Sequence, residues 1–169
     1  MLSKKLIDEI NEQIKYEFFS AHLYLSMASF CSENDLPGFE TWFIAQADEE
    51  RFHAMKFYGF LNSRGEKAVL KGFDDPKADF DDIVDVFAYS LEHEKFVSSR
   101  IYHLMDIAQE EKEYATISLL NWFVDEQVEE EESFSTLLAQ LKKIKGNPQG
   151  LHMLDRELGS RVFTPPAAE

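Results

Sequence analysis

Cysteine is almost missing from this chain. Cys31 stands alone, so no internal disulfide and no paired-thiol metal or redox motif can form, which fits a reducing compartment such as the cytoplasm. Glycine and proline are scarce as well, 7 and 5 among 169 residues, and they cluster, leaving long stretches with nothing to break a helix. Positive charge is in short supply: 17 Lys and Arg stand against 32 Asp and Glu, a formal charge of −15. A surface this negative repels phosphate backbones and anionic headgroups, so neither nucleic acid nor a membrane surface is an expected partner. No run approaches the roughly 18 to 20 apolar residues of a membrane span, and Met1-Leu2-Ser3-Lys4-Lys5 leads into charged sequence instead of a signal-peptide core. What is present is 44% apolar residues with 14% aromatics, enough to fill the core of one folded domain and to exclude intrinsic disorder.

Four long helices are predicted. The first runs from about Lys4 to Cys31 behind Ser3 as N-cap; the second begins at Pro37, where the missing amide donor costs nothing, and ends before Gly65. The third starts near Asp81, behind an acidic cluster suited to a helix N-terminus, and reaches about Glu111. The fourth covers about Tyr114 to Lys145 and stops at Gly146. Each pair forms a hairpin. The 16 residues from Gly65 to Phe80 have neither helical nor strand periodicity. A helix of about 28 residues is about 42 Å long, and 16 extended residues reach about as far, so this loop can cross the length of a bundle. The expected fold is all-α: a four-helix bundle (about 4–145) with one long crossover between the second and third helices. A short fifth helix (about 148–159) follows, capped by Asn147 and carrying Leu151, Leu154 and Leu158, and then an irregular tail, 160–169.

The apolar stripe of every long helix is interrupted. The first reads Ile7, Ile10, Ile14, then Glu17, then Ala21, Tyr24 and Ala28. The second reads Phe39, Phe43, Ala47, then Glu50, then Ala54, Phe57 and Leu61, with His53 one turn from Glu50. The third reads Ile83, Phe87, Leu91, then Glu94, then Val97, Ile101, Met105 and Ala108. In the fourth, Leu120 and Phe123 give way to Gln127 and Glu130 before Phe134, Leu137 and Leu141. These interruptions lie within about a turn of each helix midpoint, so antiparallel packing brings them to one level. Glu17 and Glu50 are 33 residues apart, as are Glu94 and Gln127, which gives each hairpin a glutamate followed by a pair spaced i, i+3.

A single glutamate on an apolar face is commonly a solvated or hydrogen-bonded residue. Four at one level are a different matter, because buried like charges cost several kcal/mol each and repel one another. No Lys or Arg occupies a matching stripe position, which leaves shared protons or bound cations. Two divalent ions carry about +4 against the −4 of Glu17, Glu50, Glu94 and Glu130, with His53 and Gln127 as neutral ligand types. Carboxylates with imidazole and no thiolate suit hard-to-borderline first-row metals. Glu126, Glu129 and Glu130 share one helix face and Glu49 adjoins Glu50, which marks a secondary cation site; the run Glu129 to Glu132 otherwise reads as a solvated face. Tyr24, two turns from Glu17, can hydrogen-bond or reduce the site, or simply pack. Trp122 reads as packing, and His22, His93, His103 and His152 as structural or exposed.

Together, Glu17, Glu50-Arg51-Phe52-His53, Glu94 and Gln127-Val128-Glu129-Glu130 resemble the ferroxidase signature of the ferritin family, in its bacterial and archaeal non-heme type. Leu119-Leu120-Asn121-Trp122-Phe123-Val124 and Leu154-Asp155-Arg156-Glu157-Leu158 extend the resemblance over nearly the whole chain. It implies a first iron position at Glu17, Glu50 and His53. Glu50 bridges to a second position completed by Glu94 and Glu130 and flanked by Gln127, with a third at Glu49, Glu126, Glu129 and Glu130. Many di-iron bundles repeat Glu-x-x-His on the fourth helix; Gln127-x-x-Glu130 lacks that imidazole, which implies looser iron and favours storage over a fixed cofactor.

The implied activity is oxidation of Fe2+ to Fe3+ by O2 or H2O2, with ferric oxide-hydroxide stored inside a shell of 24 subunits. The alternative is a di-iron peroxidase of the rubrerythrin type, which normally carries a module with paired cysteines. Heme is not expected, Met55 being the one weak candidate ligand.

Overall fold

In the computed structural model, which describes residues 2–166, five α-helices follow one another: α1 (Lys4–Glu33), α2 (Pro37–Ser63), α3 (Ile83–Glu110), α4 (Tyr114–Ile144) and α5 (Pro148–Leu158). No strand occurs among the described residues. The helix starts are set by side chains that satisfy free backbone amides: Ser3 accepts from the Leu6 amide, Asp82 from Asp85 and Asn147 from Gly150. Asp82 places the start of α3 two residues beyond the expected Asp81, and α1 runs two residues past Cys31. Gly65 and Gly146, with φ of 77° and 81°, leave α2 and α4 through the left-handed region that only glycine enters without strain. Residues 161–166 have no regular structure, and positions 167–169 of the expected tail lie outside the described residues.

The connection after α2 crosses the bundle along α1. Asn11 Oδ1 accepts from the Val69 amide at 2.7 Å, Phe73 meets Phe19 and His22, the Ser26 hydroxyl donates to the Lys77 carbonyl, and Phe80 packs on Phe30. From Asn11 to Phe30 is most of α1, so the chain is carried from one end of the bundle to the other. α3 then starts beside the beginning of α2, where the rings of Phe39 and Phe87 lie 5.8 Å apart. The crossover predicted from loop length is thereby seen as a sequence of contacts.

The apolar core is divided in two. At one end Tyr24, Phe39, Trp42, Phe43, Phe87 and Phe134 form an aromatic cluster; at the other Leu6, Ile10, Ile14, Phe57, Leu61, Ile101, Leu104, Leu120 and Phe123 pack together. Burying each large side chain contributes about 1.5 to 3 kcal/mol. Leu6, Leu104 and Leu138 occupy the fully buried rows where the stripe reading put Ile7, Met105 and Leu137. Those three, with Leu91, are half-buried against the same clusters. Between the clusters lies a layer of buried polar residues.

α5 is fastened to the start of α2. Buried Asp155 accepts from the amides of Gly38 (2.8 Å) and Phe39 (3.0 Å), supplying from another helix the cap that Leu36 cannot provide. A Cβ on residue 38 would come within 1.6 Å of the Asp155 carbonyl oxygen, so only glycine allows the approach. Asp155→Ala strands two amide donors and is expected to lower stability by about 2 kcal/mol, read as a drop in melting temperature of about 5 °C. An unchanged melting curve would show that α5 is held by its leucines alone.

Candidate metal centre

The polar layer is built from the middles of the four long helices, and the expected residues meet there. Glu17, Glu50, His53, Glu94, Gln127 and Glu130 are all buried. His53 Nδ1 lies 3.4 Å from Glu50 Oε2 and 4.0 Å from Glu17 Oε2, and these three side chains form a compact group with ligand atoms within 4.8 Å of one another. Glu94 and Glu130 stand outside that group. Gln127 Nε2 donates to Glu94 Oε2 at 3.1 Å and the Tyr24 hydroxyl donates to Glu94 Oε1; Gln46 Nε2 joins Glu50 (3.2 Å) to both oxygens of Glu130 (2.8 and 2.9 Å). Tyr24 is itself held between Phe43 and Phe134.

Gln13 and Gln46 complete this layer and escape the stripe reading. Gln13 donates to Glu17 at 2.9 Å, so each glutamine serves the glutamate four residues after it, and the two glutamines repeat the 33-residue interval of their glutamates. That regularity was the available signal. It is easily passed over because glutamine on a helix usually faces water.

No Lys or Arg neutralises the layer, and the consequences appear in its protonation. Burial and the charge of Glu50 push Glu17 up to about 8, and the same two causes push Glu94 up to about 8. Burial and the charges of Glu94 and Glu50 hold Glu130 well above the carboxylate range. Glu50 alone goes down: burial opposes its charge, but His53 and Gln46 stabilise the anion more. Burial opposes the His53 cation too, yet Glu126, Glu50 and Glu17 raise it well above its ordinary value. Without a cation the layer is therefore an ion pair among protonated acids. Glu17 Oε2 and His53 Nε2 are buried with no hydrogen-bond partner, and for the carboxylate oxygen an arriving ion would supply one.

A second group lies against the first. Glu49, His53 and Glu126 also have ligand atoms within 4.8 Å, with His53 Nε2 3.8 Å from Glu126 Oε1. They border a cavity of about 400 Å³ whose walls include Glu129, Phe52 and Trp122 and whose cover is residues 161–166. Glu129 is exposed at its rim, whereas Glu130 points the other way, into the buried layer. Trp122 packs on His53 and Phe123 and carries Lys56 over its ring, so packing describes it well. His22, His103 and His152 are exposed. His93 is partly buried against the Ser20 hydroxyl at 2.8 Å, and burial pushes it down to about 4. Met55 is 45% exposed on α2. Among the described residues no helix is long and apolar enough to cross a membrane.

A crossover bundle of this form has counterparts. The family model of the ferritin-like domain matches residues 7–144, and the chain belongs to the ferritin family. Within it, the chain is 45% identical to the bacterial non-heme ferritin of Staphylococcus aureus (strain USA300), over 96% of this chain and 98% of that protein; the Staphylococcus saprophyticus protein of the same description matches to the same extent. Among solved structures, an engineered closed form of the Archaeoglobus fulgidus ferritin superposes with a TM-score of 0.95 at 40% identity, covering 97% of this chain and all of that one. The open-pore ferritin of the same archaeon gives 0.94 at 39%, covering 95% and 99%.

Proposed function

We propose that this chain oxidises and stores iron, with Fe2+ as the substrate of the buried layer. The observation that carries the reading is the buried, unpartnered Glu17 Oε2 facing His53 Nδ1, in a layer of four carboxylates with no basic side chain from Lys or Arg. Glu17, Glu50 and His53 bind the first ion, through the imidazole nitrogen that faces both carboxylates. Glu50 bridges to a second ion held by Glu94 and Glu130, with Gln127 beside it. His53 then keeps its proton on Nε2, directed at Glu126. Gln13 and Gln46 orient Glu17, Glu50 and Glu130, and Tyr24 fixes Glu94.

Two ions contribute about +4 and release the protons that burial holds on the acids, so the layer becomes neutral when filled. Each Fe2+ gives one electron to O2 or H2O2. The Fe3+ produced needs more negative charge than these carboxylates supply, which favours loss of protons from water to give hydroxide and oxide and movement toward ferric oxide-hydroxide. Glu49, Glu126 and Glu129, with Glu130 shared from the layer, form the outer site through which a third ion passes. Storage follows if the chain assembles into a closed cytoplasmic shell of 24 subunits, and the net charge of −15 draws Fe2+ to it.

Anaerobic titration with Fe2+ followed by admission of air tests this. Two or more ions per chain and a rise in ferric absorbance are expected. Fewer than two ions, or no absorbance change, would overturn the assignment, and a calibrated sizing column separates a shell from a small oligomer.

A further inference from the structure

The outer cavity is already occupied by a positive charge that belongs to the chain. Arg161 Nη2 lies 2.7 Å from Glu49 Oε2, and the guanidinium rests 4.3 Å over the Trp42 ring. Its Nη1 is buried without a partner, although the side chain as a whole is partly exposed. The segment carrying it is fixed at its far side, where Phe163 meets Phe52 at 5.7 Å. His53 Nε2, buried and unpartnered, points into the same cavity toward Glu126, so the space is more than a patch of acids.

We propose that Arg161 is a tethered counter-cation that stands beside Glu49 in place of a metal ion and sets how strongly the outer cavity retains its cation. The proposal rests on the reading of the acidic layer as a metal centre. A cation entering the cavity finds Glu126 and Glu129 available, but Glu49 is engaged and a like charge is beside it. Binding is therefore weaker than three carboxylates alone would give, and the ion leaves more readily. This is a useful property for a way station and a poor one for a permanent site. When a cation does take Glu49, the guanidinium is released and residues 161–166 lose their ionic fastening while keeping the contact of Phe163.

The test uses full-length protein stripped of metal, given two equivalents of Zn2+ per chain to fill the inner layer, and then titrated with Tb3+. Trp122 lines the cavity and sensitises Tb3+ emission from it. Removing a like charge a few ångströms from the ion is expected to tighten Tb3+ binding about tenfold in Arg161→Gln, while Arg161→Lys, which keeps the charge, stays within about twofold of the unaltered protein. Arg156→Gln, the same loss of charge at an exposed position on α5, is expected to change nothing. Unchanged Tb3+ affinity in Arg161→Gln, or equal tightening in Arg156→Gln, would overturn the proposal. Should Arg161→Gln not fold, Phe163→Ala unseats the segment and must tighten binding in the same direction. If the unaltered protein takes up no Zn2+, the metal-centre reading itself fails, and the Tb3+ comparison still judges the arginine.

Discussion

Glu50→Ala is expected to reduce the rate of Fe2+ oxidation by about 100-fold or more while leaving the helical circular dichroism in place. Glu50 is the carboxylate nearest His53 and is tied through Gln46 to Glu130, so its contacts reach both halves of the layer. Loss of a supporting residue around a metal typically costs 10- to 100-fold, and loss of a bridging ligand should cost at least as much. The fold survives because the substitution also removes a buried negative charge that repels Glu17, Glu94 and Glu130. Ferric absorbance in stopped flow reads the rate. A normal rate in the variant would remove Glu50 from the mechanism.

The second large effect is on stability, and its sign is unusual. Glu17 and Glu94 titrate near 8 in the folded, metal-free chain, far above an ordinary glutamate, and Glu130 lies well above it too. Between pH 5 and 8 the unfolded chain has lost these protons and the folded chain still holds them. Stability from the raised acids is therefore complete below about pH 4.5 and declines as pH rises through about 8. Raised His53 acts in the same direction above its ordinary value, and Glu50, lowered, adds nothing further across this range. The metal-free protein is expected to lose a few kcal/mol from pH 5 to pH 8, a fall of about 10 °C in melting temperature. Excess Zn2+, which replaces the protons, should abolish most of that fall at pH 8. A melting temperature that rises with pH in the metal-free protein would mean that the layer is ionised and solvated.

The helices and their order are legible in the sequence because glycine, proline and capping side chains mark nearly every boundary within about two residues. The crossover is legible too, since 16 residues are just long enough to run beside α1. The buried level of Glu17, Glu50, Glu94 and Glu130 follows from helical periodicity, which is strong when a helix approaches 30 residues. What periodicity cannot supply is any contact between distant segments. Asp155 capping α2 and Arg161 reaching Glu49 join residues more than 110 positions apart, and Arg161 lies in a stretch with no pattern at all. Stripe counting also places Ile7, Met105 and Leu137 one residue away from the buried rows, because neighbouring positions straddle the edge of an apolar face.

The two hydrophobic clusters meet across a hydrophilic seam, so the bundle has a waist that apolar packing does not reinforce. If iron fills that seam as proposed, it is cross-linked from all four sides; without a cation, the halves are joined by protons and a few amides. On that reading bundle and cargo support each other, and durability becomes a matter of supply: a filled seam hardens the fold, and scarcity softens it from within.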